Sequence, residues 1–147
     1  MFSRIKIFGH PVHPMVVAYP IAFYTATLVA FVVFAANDSL LTFRIAVVAN
    51  VAGVAMALVA AVPGFLDWLL GIPRATPARA TGLYHMLLNV SALVLFAINA
   101  LVHLGQWNDA SPDKALGIVL SGLGVGLTVA PASWDGPSSR ITTWVSD

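Results

Sequence analysis

The sequence predicts an all-α integral membrane protein, a four-helix bundle that forms a single transmembrane domain over residues 1–147. Hydrophobic residues make up 59% of the chain and charged residues only 9%, whereas soluble domains carry roughly 25% charged residues. The mean hydropathy is +0.89. Four apolar segments also reach about the 20 residues that a helix needs to cross a bilayer. So few charges cannot cover the surface of a soluble protein of this size.

The four apolar segments define the helices, and short polar connections separate them. The predicted helices cover about 15–36, 45–70, 83–104 and 115–133. Pro14 leads into the first helix, because proline suits the first turn of a helix, and Pro63-Gly64 interrupts the second. A polar tail follows over 134–147. The chain is therefore expected to be multi-pass, with an even number of crossings.

The lysines and arginines predict the orientation in the membrane. The N-terminus, the middle loop and the tail hold most of them, namely Arg4, Lys6, Arg74, Arg79 and Arg140. The opposite side holds Arg44 and Lys114. Because cytoplasmic segments carry the excess of positive charge, both termini are expected in the cytoplasm.

Composition also excludes several functions. The net charge of +1 does not supply the clustered cations of a nucleic-acid-binding surface. The absence of cysteine excludes disulfides, thiolate metal sites, iron–sulfur clusters and covalent c-type haem. No nucleophile–histidine–acid pattern and no phosphate-binding loop is recognisable, so the sequence does not favour an enzyme.

The segment Gly9-His10-Pro11-Val12-His13-Pro14 lies directly before the first apolar run. Proline disfavours the α conformation at the residue before it. We therefore expect His10 and His13 in extended or polyproline geometry, where three residues make one turn. The two imidazoles would then point the same way, which is suitable for binding a metal or a haem.

The predicted topology brings further polar residues to the same membrane edge. Asp67 lies at the end of the second helix and His85 in the first turn of the third. Ionisable groups are costly in lipid and usually face a bundle interior or a partner. The predicted cofactor ligands are His13 and His85, with His10 as the alternative; a metal site would use His10, His13, His85 and Asp67. Asp67 and Asn89 are expected to orient a ligating imidazole through hydrogen bonds, Asp67 at the ring nitrogen that does not bind the metal.

These residues also have structural interpretations that the sequence leaves open. His13 could cap the first helix, and Asp67 could form an ion pair with Arg74 or Arg79. The third helix carries His85, Asn89, Ala92, Phe96, Asn99 and His103 at alternating spacings of four and three, which predicts one continuous helix–helix seam. His85 and His103 are about 27 Å apart along that helix, so at most one bis-histidine site can form.

Several segments together resemble a known family: 9–15 (GHPVHPM), 19–21 (YPI), 61–68 (AVPGFLDW) and 81–89 (TGLYHMLLN). They are similar to the bacterial four-helix membrane proteins of domain of unknown function 2231, over nearly the whole chain. The resemblance implies a bacterial inner-membrane location and, because some members are joined to redox modules, a link to electron transfer. Many members carry another histidine where this chain has Ala18, which implies a smaller site here.

The sequence thus predicts a small inner-membrane protein whose His/Asp cluster binds haem b or a transition metal and serves a respiratory or redox partner. One alternative is a structural or assembly subunit without a cofactor, in which the cluster only joins helices. Another is a small transporter or proton path along the third helix. The lipid bilayer is the expected environment, a homo-oligomer remains open, and nucleic acid is not an expected partner.

Overall fold

The computed structural model describes residues 6–7, 10–73 and 76–130, with side chains described from residue 15 onward. In this part of the chain a two-residue strand, β1 (Lys6–Ile7), pairs antiparallel with β2 (His10–Pro11). The helices that follow are α1 (Val12–Asn37), α2 (Leu40–Leu66), α3 (Pro77–Gly105) and α4 (Lys114–Val129). A π-helical turn at Asp67–Gly71 extends α2. The predicted all-α fold with four helices is confirmed.

Three helical segments are long and apolar enough to cross a membrane: Met15–Asn37, Leu40–Gly71 and Pro77–Gly105. Helix α4 spans 16 residues, which is short of the roughly 20 that a perpendicular crossing requires. The end predicted for this helix, at about residue 133, and the predicted tail over 134–147 lie outside the described residues. The orientation of the termini stays a prediction.

Two helices begin earlier than predicted. Helix α2 starts at Leu40 rather than at 45, directly after a turn in which the Ser39 N–H donates to Asn37 Oδ1 (3.0 Å). Helix α3 starts at Pro77 rather than at 83, because proline is favoured in the first helical turn. Alanines at 78 and 80 then continue the helix, since alanine is the strongest helix former.

The backbone around the histidine motif differs in part from the prediction. His10 lies in β2 and is extended as expected, but His13 lies inside the first turn of α1, which begins at Val12. The expected extended geometry at His13 is therefore wrong. In a first turn the missing N–H of Pro14 costs no hydrogen bond, so helix formation overcomes the bias that proline imposes on the preceding residue.

The helices form a ring in which α1 contacts α2 and α4, while α3 contacts α4 and α2. We call the end where α1 and α3 begin and α2 finishes the proximal end, and the opposite end the distal end. At the distal end Lys114 donates to the Asp38 carboxylate, which joins the α1–α2 turn to the start of α4. Arg44 and Lys114 lie at this end, as the topology predicted.

The most buried packing lies in the distal half of the bundle. Phe31, Phe34 and Phe43 form an aromatic cluster in which each ring is at most 2% exposed. Between α2 and α3 the hydrogen-bonding pattern orients the Asn50 amide so that it donates to the Phe96 carbonyl (3.1 Å) and accepts from the Asn99 amide (3.3 Å). Asn50 and Asn99 thus form hydrogen bonds between α2 and α3, as polar side chains between membrane helices are expected to do.

Candidate functional site

A cavity of about 470 Å³ lies in the proximal half of the bundle, among α1, α2, α3 and the end of α4. Its walls are mostly apolar. The residues that line it are Val17, Pro20, Ile21, Tyr24, Ala57, Ala60, Ala61, Gly64, Phe65, Asp67, Trp68, Ile72, Gly82, His85, Met86, Asn89, Val90, Leu93 and Thr128. The structure therefore brings together Asp67, His85 and Asn89, which the sequence predicted to share one edge. The volume falls within the range of about 300–1,000 Å³ that is usual for small-molecule and cofactor sites.

A network of contacts between Trp68 and Arg79, here called the lock, joins the end of α2 to the start of α3 beside this cavity, which Asp67 also lines. The Trp68 indole N–H donates to the Arg79 carbonyl (3.1 Å), and Arg79 Nη1 donates to the carbonyls of Trp68 (3.3 Å) and Ile72 (3.1 Å). The Arg79 guanidinium also lies 4.2 Å from the centre of the Trp68 ring, where a cation is attracted to the aromatic face. These contacts satisfy carbonyls at the end of the π-helical turn, and they occupy one of the two arginines predicted as partners of Asp67.

Gly82 permits the close packing of this lock. A Cβ atom at residue 82 would lie 2.9 Å from Cδ1 of Trp68, which is too close for an unshifted indole. The glycine therefore lets α3 begin against Trp68 and brings His85, one turn further along, to the cavity wall.

His85 and Asn89 form a pair along one face of α3. Asn89 Nδ2 donates to the His85 carbonyl (2.8 Å) and lies 3.3 Å from Nε2 of the imidazole. An amide donor at Nε2 fixes the orientation of the ring and favours the tautomer with hydrogen on Nδ1. Because Asn89 contacts Nε2, this nitrogen would be free to bind a ligand only if the amide moved away, while the bond to the His85 carbonyl could stay.

Tyr24 closes the inner end of the cavity. Its ring stacks on Phe96 with centres 3.6 Å apart and planes within 3°, and a Cβ atom at Gly53 would lie 2.8 Å from it. Tyr24 is only 3% exposed, and its hydroxyl has no hydrogen-bond partner among the described residues. A buried polar group without a partner is costly, so a molecule with an acceptor atom at this end of the cavity would be stabilised.

We expect Tyr24→Phe to raise the stability of the ligand-free protein by about 1–3 kcal/mol, because it removes an unsatisfied buried hydroxyl and keeps the ring. The free energy of unfolding can be measured by SDS titration in mixed micelles with tryptophan fluorescence. Tyr19→Phe is the matched control, since Tyr19 is 56% exposed and should change little. A loss of stability in Tyr24→Phe would contradict the expectation.

Of the other predicted ligands, His10 and His13, the structure describes only the backbone. The backbones of His10 and His13 lie in β2 and in the first turn of α1, at the proximal end, but their side chains lie outside the described residues. Among the side chains that the structure describes, no three histidines or acids form a metal-binding group. His103 lies at the distal end, as expected, and contacts two carbonyl oxygens there.

Sequence reasoning missed two features of the site. Arg79 was assigned only as a possible ion-pair partner, whereas its role depends on carbonyls freed by the π-helical turn. For Tyr24, aromatic packing is the default interpretation from the sequence, with a hydrogen bond from the hydroxyl into the bundle as the alternative; the ring does pack on Phe96, but the hydroxyl has no partner among the described residues. A tyrosine in the middle of an apolar helix, where phenylalanine would pack equally well, was the available signal.

The comparison with known families agrees with the geometry. Residues 9–138 match the sequence model of DUF2231, described as a predicted membrane protein. This range contains the doubled His-Pro segment and the complete lining of the cavity. No curated protein and no solved structure is similar enough to extend the comparison.

Proposed function

The chain belongs to the DUF2231 family of predicted membrane proteins, and we propose that it binds haem b inside the bilayer, in the proximal cavity, as a redox accessory protein of the bacterial inner membrane. His85 would be one of the protein ligands that hold the haem iron. His13 would be the second, with His10 as its alternative. The observation that carries the proposal is a large apolar cavity with a single oriented imidazole on its wall.

The donor set favours haem over a bare transition-metal ion. A protein-bound zinc or copper ion usually takes three or four protein ligands, and the described wall of the cavity offers one imidazole, His85, and one carboxyl group, Asp67. A haem brings four nitrogen ligands of its own and needs one or two from the protein. It also needs apolar walls, which this cavity provides.

The chain's own residues would each have a defined role. His85 would offer Nε2 to the iron once Asn89 releases it, and Asn89 would keep its hydrogen bond to the His85 carbonyl. Asp67, which also lines the cavity, would add a carboxyl group to the proximal rim. The bound haem would supply one-electron transfer, and the apolar walls would exclude water and so help set its potential.

The test is an absorbance spectrum of the detergent-purified full chain after supplying haemin. We expect a Soret band at up to one haem per chain in the wild type and its loss in His85→Ala. Free imidazole should restore the band in His85→Ala, because it replaces the missing ligand in a cavity that is otherwise intact.

His103→Phe is the matched control, since it removes a histidine at the distal end and keeps a ring there; it should retain the band. Three results would overturn the proposal: no Soret band in the wild type, a band that persists in His85→Ala, or stoichiometric binding of a metal other than iron. The first result would favour the structural or assembly role.

A further inference from the structure

A second apolar groove, of about 380 Å³, lies along the seam between α2 and α3 in the distal half of the bundle. Val48, Val51, Ala52 and Ala55 form its floor on α2, and Leu104 and Trp107 form its wall at the end of α3. The residues that line this groove are all different from those that line the proximal cavity. The two spaces are therefore distinct.

Arg44 lies at the distal mouth of this groove. It precedes Val48, Val51 and Ala55 on α2 at spacings of four, seven and eleven residues, so it continues the stripe that forms the floor. Its guanidinium lies 5.4 Å from the centre of the Trp107 ring. A cation and a tryptophan together at a helix end are typical of the membrane interface.

Arg44 differs from the other described cations in its partners. Lys114 is paired with Asp38, and Arg79 donates to two carbonyls. Within the described part of the chain, Arg44 has only the Trp107 ring as a partner, and its side chain is exposed. Its hydrogen-bond donors are thus available to an anion at the interface.

We propose that this groove binds one anionic phospholipid, with the phosphate on Arg44 beside Trp107 and an acyl chain along the groove. The planar guanidinium matches phosphate geometry with two parallel hydrogen bonds. From Arg44 to Ala55 the stripe rises about 16 Å, which is close to half of the roughly 30 Å hydrocarbon core. The groove therefore has the depth of one leaflet.

The positive charge of Arg44 at the mouth of the groove determines which lipid headgroup is preferred. A phosphatidylcholine headgroup carries its own cation, which would lie beside the Arg44 guanidinium and repel it. A phosphatidylglycerol headgroup carries only the negative charge. The lipid chosen should therefore be anionic, and this selection is independent of any cofactor in the proximal cavity.

The experiment is native mass spectrometry of the full chain released from nanodiscs that contain equal amounts of phosphatidylglycerol and phosphatidylcholine. We expect the wild type to retain one phosphatidylglycerol per chain in preference to phosphatidylcholine. Arg44→Gln should lower this preference by about fivefold, the factor that one interfacial cation contributes to anionic-lipid binding. Ala52→Phe should fill the groove and abolish retention of both lipids.

Leu101→Phe is the matched control for Ala52→Phe, because Leu101 is 72% exposed and does not line the groove; it should behave as the wild type. Circular dichroism and the unfolding midpoint of each variant in phosphatidylcholine confirm that it is folded. The proposal is overturned by equal retention of the two lipids, by an unchanged preference in Arg44→Gln, or by a lipid-free dimer that covers the groove.

Discussion

Replacing Gly124 with alanine is expected to destabilise the bundle by about 1–3 kcal/mol, the usual cost of overpacking a close contact. A Cβ atom at residue 124 would lie 2.5 Å from Cε2 of Phe96. The Phe96 ring is fully buried and stacked on Tyr24, so it has little room to move away. The loss can be measured by SDS titration in mixed micelles.

Gly126→Ala is the matched control, two residues further along α4. A Cβ atom there meets nothing within 4 Å, so alanine should be neutral or stabilise the helix by up to about 1 kcal/mol. Equal effects of the two substitutions would mean that glycine matters for α4 only through its conformational freedom. A destabilised Gly124→Ala beside a neutral Gly126→Ala would show that the contact with Phe96 decides the packing.

This pair also shows what the sequence could predict about packing. Gly122 and Gly126, four residues apart, predict a face of α4 that packs closely, but a Cβ atom would meet only Leu28 Cδ1, at 4.0 Å, at residue 122 and nothing within 4 Å at residue 126. The close approaches occur at Gly117 against Phe31 and at Gly124 against Phe96, which the spacing alone could not distinguish. Which glycine is essential depends on the ring it meets, and that ring lies on another helix.

The buried seam of α3 was predicted more completely. Ala92, Phe96, Asn99 and His103 are all at most 1% exposed, as their alternating spacing indicated. The positions that share one face of α3 depend only on helical geometry, so the buried seam could be predicted from this one helix. Toward the proximal end the same face lines the cavity, through His85 and Asn89.

The candidate site was predictable at the level of topology. The expectation that the second and third helices run antiparallel was sufficient to place Asp67, His85 and Asn89 together. The sequence indicated only that a tyrosine hydroxyl lies within an apolar helix, and the lock around Trp68 was not predictable, because it depends on distances between atoms of different helices. The apolar residues of a membrane helix do not indicate which face of that helix adjoins a cavity.

His103→Ala is expected to cause the largest loss of stability, about 3–5 kcal/mol, the usual cost of truncating a buried ring. The imidazole is fully buried and lies 4.7 Å from the centre of the Phe31 ring. Nδ1 is 2.8 Å from the Asn99 carbonyl and Nε2 is 3.0 Å from the Asp113 carbonyl. A neutral ring donates through one of these nitrogens and a doubly protonated ring through both. Unfolding by SDS titration measures the loss.

His103→Phe separates packing from hydrogen bonding, because it keeps a ring against Phe31 and removes both contacts with the carbonyls. We expect it to cost about 1–2 kcal/mol, since single hydrogen bonds in membrane bundles contribute modestly. The Asp113 contact joins the end of α3 to the residue that caps α4, where the Asp113 carboxylate accepts from the Leu116 N–H (3.0 Å). A loss in His103→Phe as large as that in His103→Ala would therefore assign the stability of the distal end to this polar link and not to the aromatic cluster.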